Sequence, residues 1–145
     1  MFVILYEYVR GGVSRQAREE GPPPVRRGIL TEWMAQLKDK GNDDYAHMEH
    51  ALDRLGQAKP SDLPGILRGT TPQTRQIYKL QLGGKVRLRP LWCRGPMDKT
   101  TELTFLFPAY ERNGVFDPPD APGQAENRRL QIIGDPTKRR LYERA

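Results

Sequence analysis

Lys79, Arg87 and Arg89 sit in two short runs, Ile77–Leu82 and Val86–Pro90, in which apolar and polar residues alternate. Alternation at period two sends polar side chains to one face of a strand pair and apolar ones to the other. A row of cations fixed on a sheet face suits a phosphodiester, because it neutralises the phosphate and steadies the charge that builds on its oxygens during displacement. The plainer role is a solvated outer face. The phosphate role is favoured because neither run carries an acid among its cations. Tyr110 and Tyr142 are aromatic surfaces on which bases can stack, although a half-buried tyrosine is the more ordinary outcome. Lys85, between the two runs, and Lys138-Arg139-Arg140 near the C-terminus add cations that would touch a nucleic-acid backbone.

Other chemistries find less support. His47 and His50 have the i, i+3 spacing of two ligands on one helix face, but no cysteine or third histidine lies near them. Metal binding is therefore not expected, and no cofactor motif is present. Cys93 has no histidine beside it to make a thiolate and reads as a buried structural thiol. Gly83-Gly84 is a turn rather than a phosphate-cradling loop.

The elements that position these residues follow from periodicity. Phe2–Val9 is rich in aromatic and β-branched residues and reads as a strand. Ser14–Pro24 is polar and ends in three prolines, which predicts a loop or insertion over roughly residues 10–24. Val25, Ile29, Trp33 and Leu37 recur every four residues up to Gly41, predicting a helix. A second helix over Asp43–Leu55 presents Tyr45, Met48, Leu52 and Leu55, with Asn42 or Asp43 at its start and Gly56 at its end. The short connection makes these two an antiparallel hairpin.

Gln57–Thr74 reads as a loop. A three-residue turn, Gly83-Gly84-Lys85, sets Leu80 opposite Leu88 and Lys79 opposite Arg89, and Trp92 falls on the apolar parity of the second strand. Thr101–Phe107 is apolar on both faces in its second half, as a central strand would be, and Pro108 closes it. A short helix runs from Ala121 or Gly123 to Ile133. Residues 135–145 form a basic tail, either a last helical turn or a disordered end. Helices on one side of a mainly antiparallel sheet make an α+β domain, with the first strand placed to run parallel to a neighbour.

The totals agree with a single small domain. The chain has 145 residues, a net charge of +6 and a pI near 9.7, so its natural partners are polyanions or acidic proteins. No run approaches the ~18 apolar residues of a membrane span, and with one cysteine the expected setting is the cytoplasm.

IYKLQLGGKVRLRPLW, then TELTFLFPAYERN, then APGQAENRRLQII, resembles the RelE/HigB superfamily of toxin–antitoxin toxins, best over residues 77–133. The resemblance implies a RelE-like domain and a metal-independent endoribonuclease. Such enzymes cut messenger RNA, often on the ribosome, by attack of the neighbouring 2′-hydroxyl. It implies that Lys79 holds the family's basic position on the first hairpin strand, and that Arg87 or Arg89 contacts the scissile phosphate. It also implies an acidic antitoxin as partner. Two departures stand out. Where many members carry paired lysines this chain has Tyr110-Glu111-Arg112: Arg112 keeps one charge, while Glu111 would repel phosphate but has the chemistry of a base. Tyr142 is the nearest match to a C-terminal catalytic aromatic. These departures support a second reading, a RelE-fold binding protein that regulates or inhibits a host protein without catalysis.

Overall fold

The computed structural model describes residues 1–10, 27–82 and 86–144. The expected loop from residue 11 to 24 and the turn at 83–85, Lys85 included, lie outside the described residues.

The described residues fold into an α+β domain whose mainly antiparallel sheet has seven strands, where three were expected after the helical pair. In order they are β1 (Ile4–Tyr8), α1 (Ile29–Lys40), α2 (Asp44–Gln57), the short α3 (Leu63–Ile66), β2 (Leu67–Gly69), β3 (Tyr78–Leu80), β4 (Leu88–Arg94), β5 (Glu102–Arg112), β6 (Val115–Asp117), α4 (Ala121–Gly134) and β7 (Arg139–Leu141). Across the sheet the strands run β2-β3-β4-β5-β1-β7, with β6 hairpinned onto the end of β5. The β1–β5 pair is parallel and the other pairs are antiparallel.

Both long helices form where the apolar period predicted. Gly41 ends α1 in the left-handed conformation, at φ 67°, where glycine carries no Cβ penalty. Asp43 is the N-cap residue of α2 but makes no side-chain capping bond, and Asn42 Oδ1 accepts the Asp44 amide at 3.1 Å. The helix runs past Gly56, which has no Cβ-sized obstacle around it and does not end it.

The start of α1 is held from outside the helix. Its N-cap, Gly28, has no side chain to offer, and the carboxylate of Glu7 on β1 takes over. Glu7 is fully buried, accepting the Thr31 amide at 2.8 Å and the Thr31 hydroxyl at 2.7 Å. Arg140 of β7 completes the set, with Nε 3.0 Å from Oε2. The carboxylate thus satisfies an orphan amide of the first turn and meets the positive end of the helix dipole.

The sheet is covered on both faces, which corrects the expectation of helices on one side. The reason is a bulge. Leu91 pairs with Phe107 but its neighbour Trp92 pairs with Phe105, so Leu106 is an extra residue on β5. Consecutive residues of β4 point to opposite faces, so Phe105 and Phe107 do too. Phe105 stacks on Trp33 of α1, ring centroids 5.7 Å apart, and Phe107 lies beneath Arg128 of α4 at 4.9 Å. The apolar run Phe105-Leu106-Phe107 is a strand changing its inner face.

Strand β5 also passes through Pro108 instead of stopping there. The Glu111 amide donates to the Arg87 carbonyl at 2.9 Å, which marks a hydrogen-bonded pair. By alternation, Pro90 and Pro108, which oppose each other, fall at a non-hydrogen-bonded pair where neither missing N–H is required. The strand then turns back at Asn113-Gly114, with φ of 51° and 78°, into β6.

The basic tail opens with the expected helical turn, a 3₁₀ turn at Pro136–Lys138, and continues as β7 against β1 rather than as a disordered end. Arg139 forks onto Glu102 at 2.9 and 3.2 Å and lies 3.8 Å over the Tyr6 ring.

A Cβ on Gly28 would lie 1.8 Å from Cδ of Glu7. Gly28→Ala is therefore expected to cost about 1–3 kcal/mol in urea unfolding. Gly56→Ala, inside α2 with open space around it, should be neutral or gain up to ~1 kcal/mol. Equal stabilities for the two variants would show that Glu7 does not pack against Gly28.

Candidate nucleic-acid interface

Three strands bring Lys79, Arg89 and Glu111 together. Lys79 pairs with Leu91, Leu91 with Phe107 and Arg89 with Ala109, so these residues share the face that α4 partly covers. Glu111, paired with Arg87, belongs to the same face. Its carboxylate is 2.7 Å from Arg89 Nε and 3.3 Å from Lys79 Nζ. The Phe116 ring lies 5.7 Å from the same ammonium. All three charged side chains are mostly shielded, at 21, 12 and 12% exposure for Lys79, Arg89 and Glu111.

This arrangement corrects the sequence reading in two ways. The hairpin register is shifted by two residues, so Lys79 faces Leu91 and not Arg89; a shift of two leaves every side chain on its face. Moreover, the cations are not free of acids. Glu111 arrives from the adjacent strand, which a reading of the two hairpin runs alone does not include.

Arg89 is tied down further, its NH1 donating to the Val86 and Leu88 carbonyls at 2.9 and 2.7 Å. It shapes the strand end as much as it offers charge. Arg87 and Arg112 are exposed, on β4's approach and at the β5–β6 turn. By alternation Arg87 shares the face of Glu111, whereas Arg112, one residue beyond it, leaves β5 on the Tyr110 face and is not brought to the cluster.

The remaining candidates lie elsewhere. Tyr110 points to the opposite face, where its hydroxyl accepts from Trp33 Nε1 at 3.2 Å and the two rings meet edge to face. Arg139, Arg140 and Tyr142 are at the far edge of the sheet, beyond β1. Both arginines there are engaged with the buried carboxylates of Glu102 and Glu7. Tyr142 is half-buried, its amide bonded to the Leu5 carbonyl at 2.9 Å, and burial pushes its phenol up to about 12. Lys138 is partly exposed, and its carbonyl accepts the Val9 amide at 2.8 Å. The structure does not bring this basic group to the Lys79 cluster.

One residue was missed in the sequence. Arg128 of α4 inserts between the rings of Tyr8 and Phe107, each 4.9 Å away, and donates to the Leu106 carbonyl at 2.7 Å. Burial lowers its pKa. It lies along the same face as the cluster, one strand repeat beyond Ala109. Arginine on the inner side of Arg128-Arg129-Leu130 was the available signal.

Among the described residues no group of three or more His, Cys, Asp or Glu side chains could hold a metal ion, and His47 and His50 are exposed on α2. No helix there is long and apolar enough to cross a membrane. Trp33, Trp92 and Cys93 are buried in the core.

Burial pushes the Cys93 thiol up to about 12, so it should resist a thiol-disulfide reagent at pH 8 until the domain unfolds. Fast labelling of the native protein would refute this. For Tyr142 the sign runs toward alkali. The native state keeps a phenolic proton that the unfolded chain releases near pH 10, so stability falls as pH rises from 10 toward 12. Tyr142→Phe should make that fall shallower in denaturant titrations, and an unchanged slope would place the phenol in water.

Comparisons with protein-family models, with curated proteins and with solved structures find no match to this chain.

Proposed function

We propose that the protein is a metal-independent endoribonuclease of the RelE/HigB kind, acting at the Lys79–Arg89–Glu111 cluster. The observation that carries this reading is a shielded carboxylate held between two cations, with exposed Arg87 on the same strand face. The element order gives further support. Within it β1, the pair α1 and α2, the antiparallel strands β3, β4 and β5, and α4 keep the expected order, with β1 parallel to β5, while α3, β2, β6 and β7 are additions to that order.

Glu111 takes the proton of the 2′-hydroxyl, whose oxygen attacks the adjacent phosphorus. Arg87 and Arg89 meet the charge on the phosphoryl oxygens. The bond to the 5′-oxygen breaks and that oxygen takes a proton from Lys79, since a guanidinium does not give one up. The products are a 2′,3′-cyclic phosphate and a 5′-hydroxyl.

A second reading has its own support. Three nitrogen contacts of Arg89 are spent on Glu111 and two carbonyls, as expected of a surface built to bind RNA or an acidic protein without cutting.

The test is cleavage of a messenger RNA in EDTA, with and without translating ribosomes. Glu111→Gln should lower cleavage by about a hundredfold or more while RNA binding is kept or strengthened. Arg87→Glu should weaken binding and flatten its salt dependence. Binding without cleavage by the unaltered protein would decide for the second reading, and neither binding nor cleavage would end both RNA readings.

A further inference from the structure

On the opposite side of the sheet, α2 and the β2–β3 edge enclose a groove of two joined cavities. One, about 120 Å³, is floored by Leu55, Leu80 and Leu82 with His47 and His50 as its wall. The other, about 310 Å³, continues past Ile66 to Arg68 and Gln81. Arg54, Ile66, Leu80 and Leu82 line both cavities, which makes them two ends of one groove. One end is apolar and the other is polar and cationic.

The charges are one-sided. Among the described residues no Asp or Glu lines either cavity. Arg68 is fixed at the rim, its NH1 donating to the Gly65 and Leu67 carbonyls at 3.1 and 3.2 Å. Arg54 reaches the same space from the last turn of α2, and no ion pair is formed with it among the described residues. Two guanidiniums over one end of an apolar trough match a molecule with a hydrocarbon body and an anionic head.

We propose that this groove binds a small amphipathic anion, an aliphatic or aromatic body ending in a carboxylate or phosphate. The body lies on Leu55, Leu80 and Leu82, and the head is held between Arg54 and Arg68. Leu80 leaves β3 on the face opposite Lys79, and Arg68, the cross-strand partner of Lys79, reaches the groove at the β2 edge. The site takes no residue of the ribonuclease cluster and does not rest on that reading. A metal ion is a poor occupant, since among the described residues no group of three or more His, Cys, Asp or Glu could hold one.

The experiment is calorimetric titration of the full chain with sodium decanoate below its micelle concentration, against decanol and inorganic phosphate. Decanoate should bind, decanol at least about tenfold more weakly, as expected when a charge-assisted hydrogen bond is lost, and phosphate not measurably. Arg54→Glu with Arg68→Glu should weaken decanoate by at least about tenfold with an unchanged circular-dichroism spectrum and urea midpoint. The double variant alters only exposed side chains, so it is expected to fold. Decanol binding as well as decanoate, no decanoate binding, or undiminished binding by the folded double variant would each overturn the proposal.

Discussion

One buried carboxylate ties the first strand, the first helix and the last strand together. Glu7 lies in an otherwise largely apolar strand and is wholly removed from water. A charge so placed is costly unless every lone pair finds a donor. Here the donors come from the first turn of α1 and from Arg140 across the sheet. Three elements distant in sequence must therefore arrive together, and Gly28 must be glycine to let them. With the helix start fixed in this way, Trp33 falls over Phe105 and Tyr110, and the α1 face of the sheet is filled.

The second organising device is the extra residue at Leu106. By exchanging the inward and outward faces of β5 midway, it gives α1 one phenylalanine and α4 the other. The half of β5 beyond the bulge then presents Ala109 and Glu111 to the same side as Lys79 and Arg89. Without that change of phase, Glu111 would point toward Trp33 and no carboxylate would stand among the cations. The proposed site thus depends on a local irregularity several residues away.

Much of the architecture was legible in the sequence. The four-residue recurrence through Trp33 and Leu37, the apolar face of Met48 and Leu52, and the alternation around Lys79 and Arg89 each fixed an element and its inner face. What escaped was information carried by neighbours in space. Glu7 looks like a polar interruption until its partners in α1 and β7 are seen. Glu111 reads as a departure from a basic motif until β5 is laid beside β4. Residues 139–141 have the composition of a solvated tail, and only the buried carboxylates of Glu7 and Glu102 show why those arginines are ordered. The turn at Asn113-Gly114 is different: its residue pair is a strong hairpin signal, overlooked because Pro108 appeared to end the strand. The proline was harmless because it met another proline where the ladder asks for no amide.

The pairing of β1 with β7 has a consequence for how the chain acquires its shape. During synthesis Glu7 emerges well before its guanidinium partner, Arg140, which follows 133 positions later. Until then the strand that seeds the parallel pair has an open edge and a carboxylate without its full set of donors. Contacts this distant also slow the search for the native arrangement. The sheet closes late, with Glu7 waiting on Arg140.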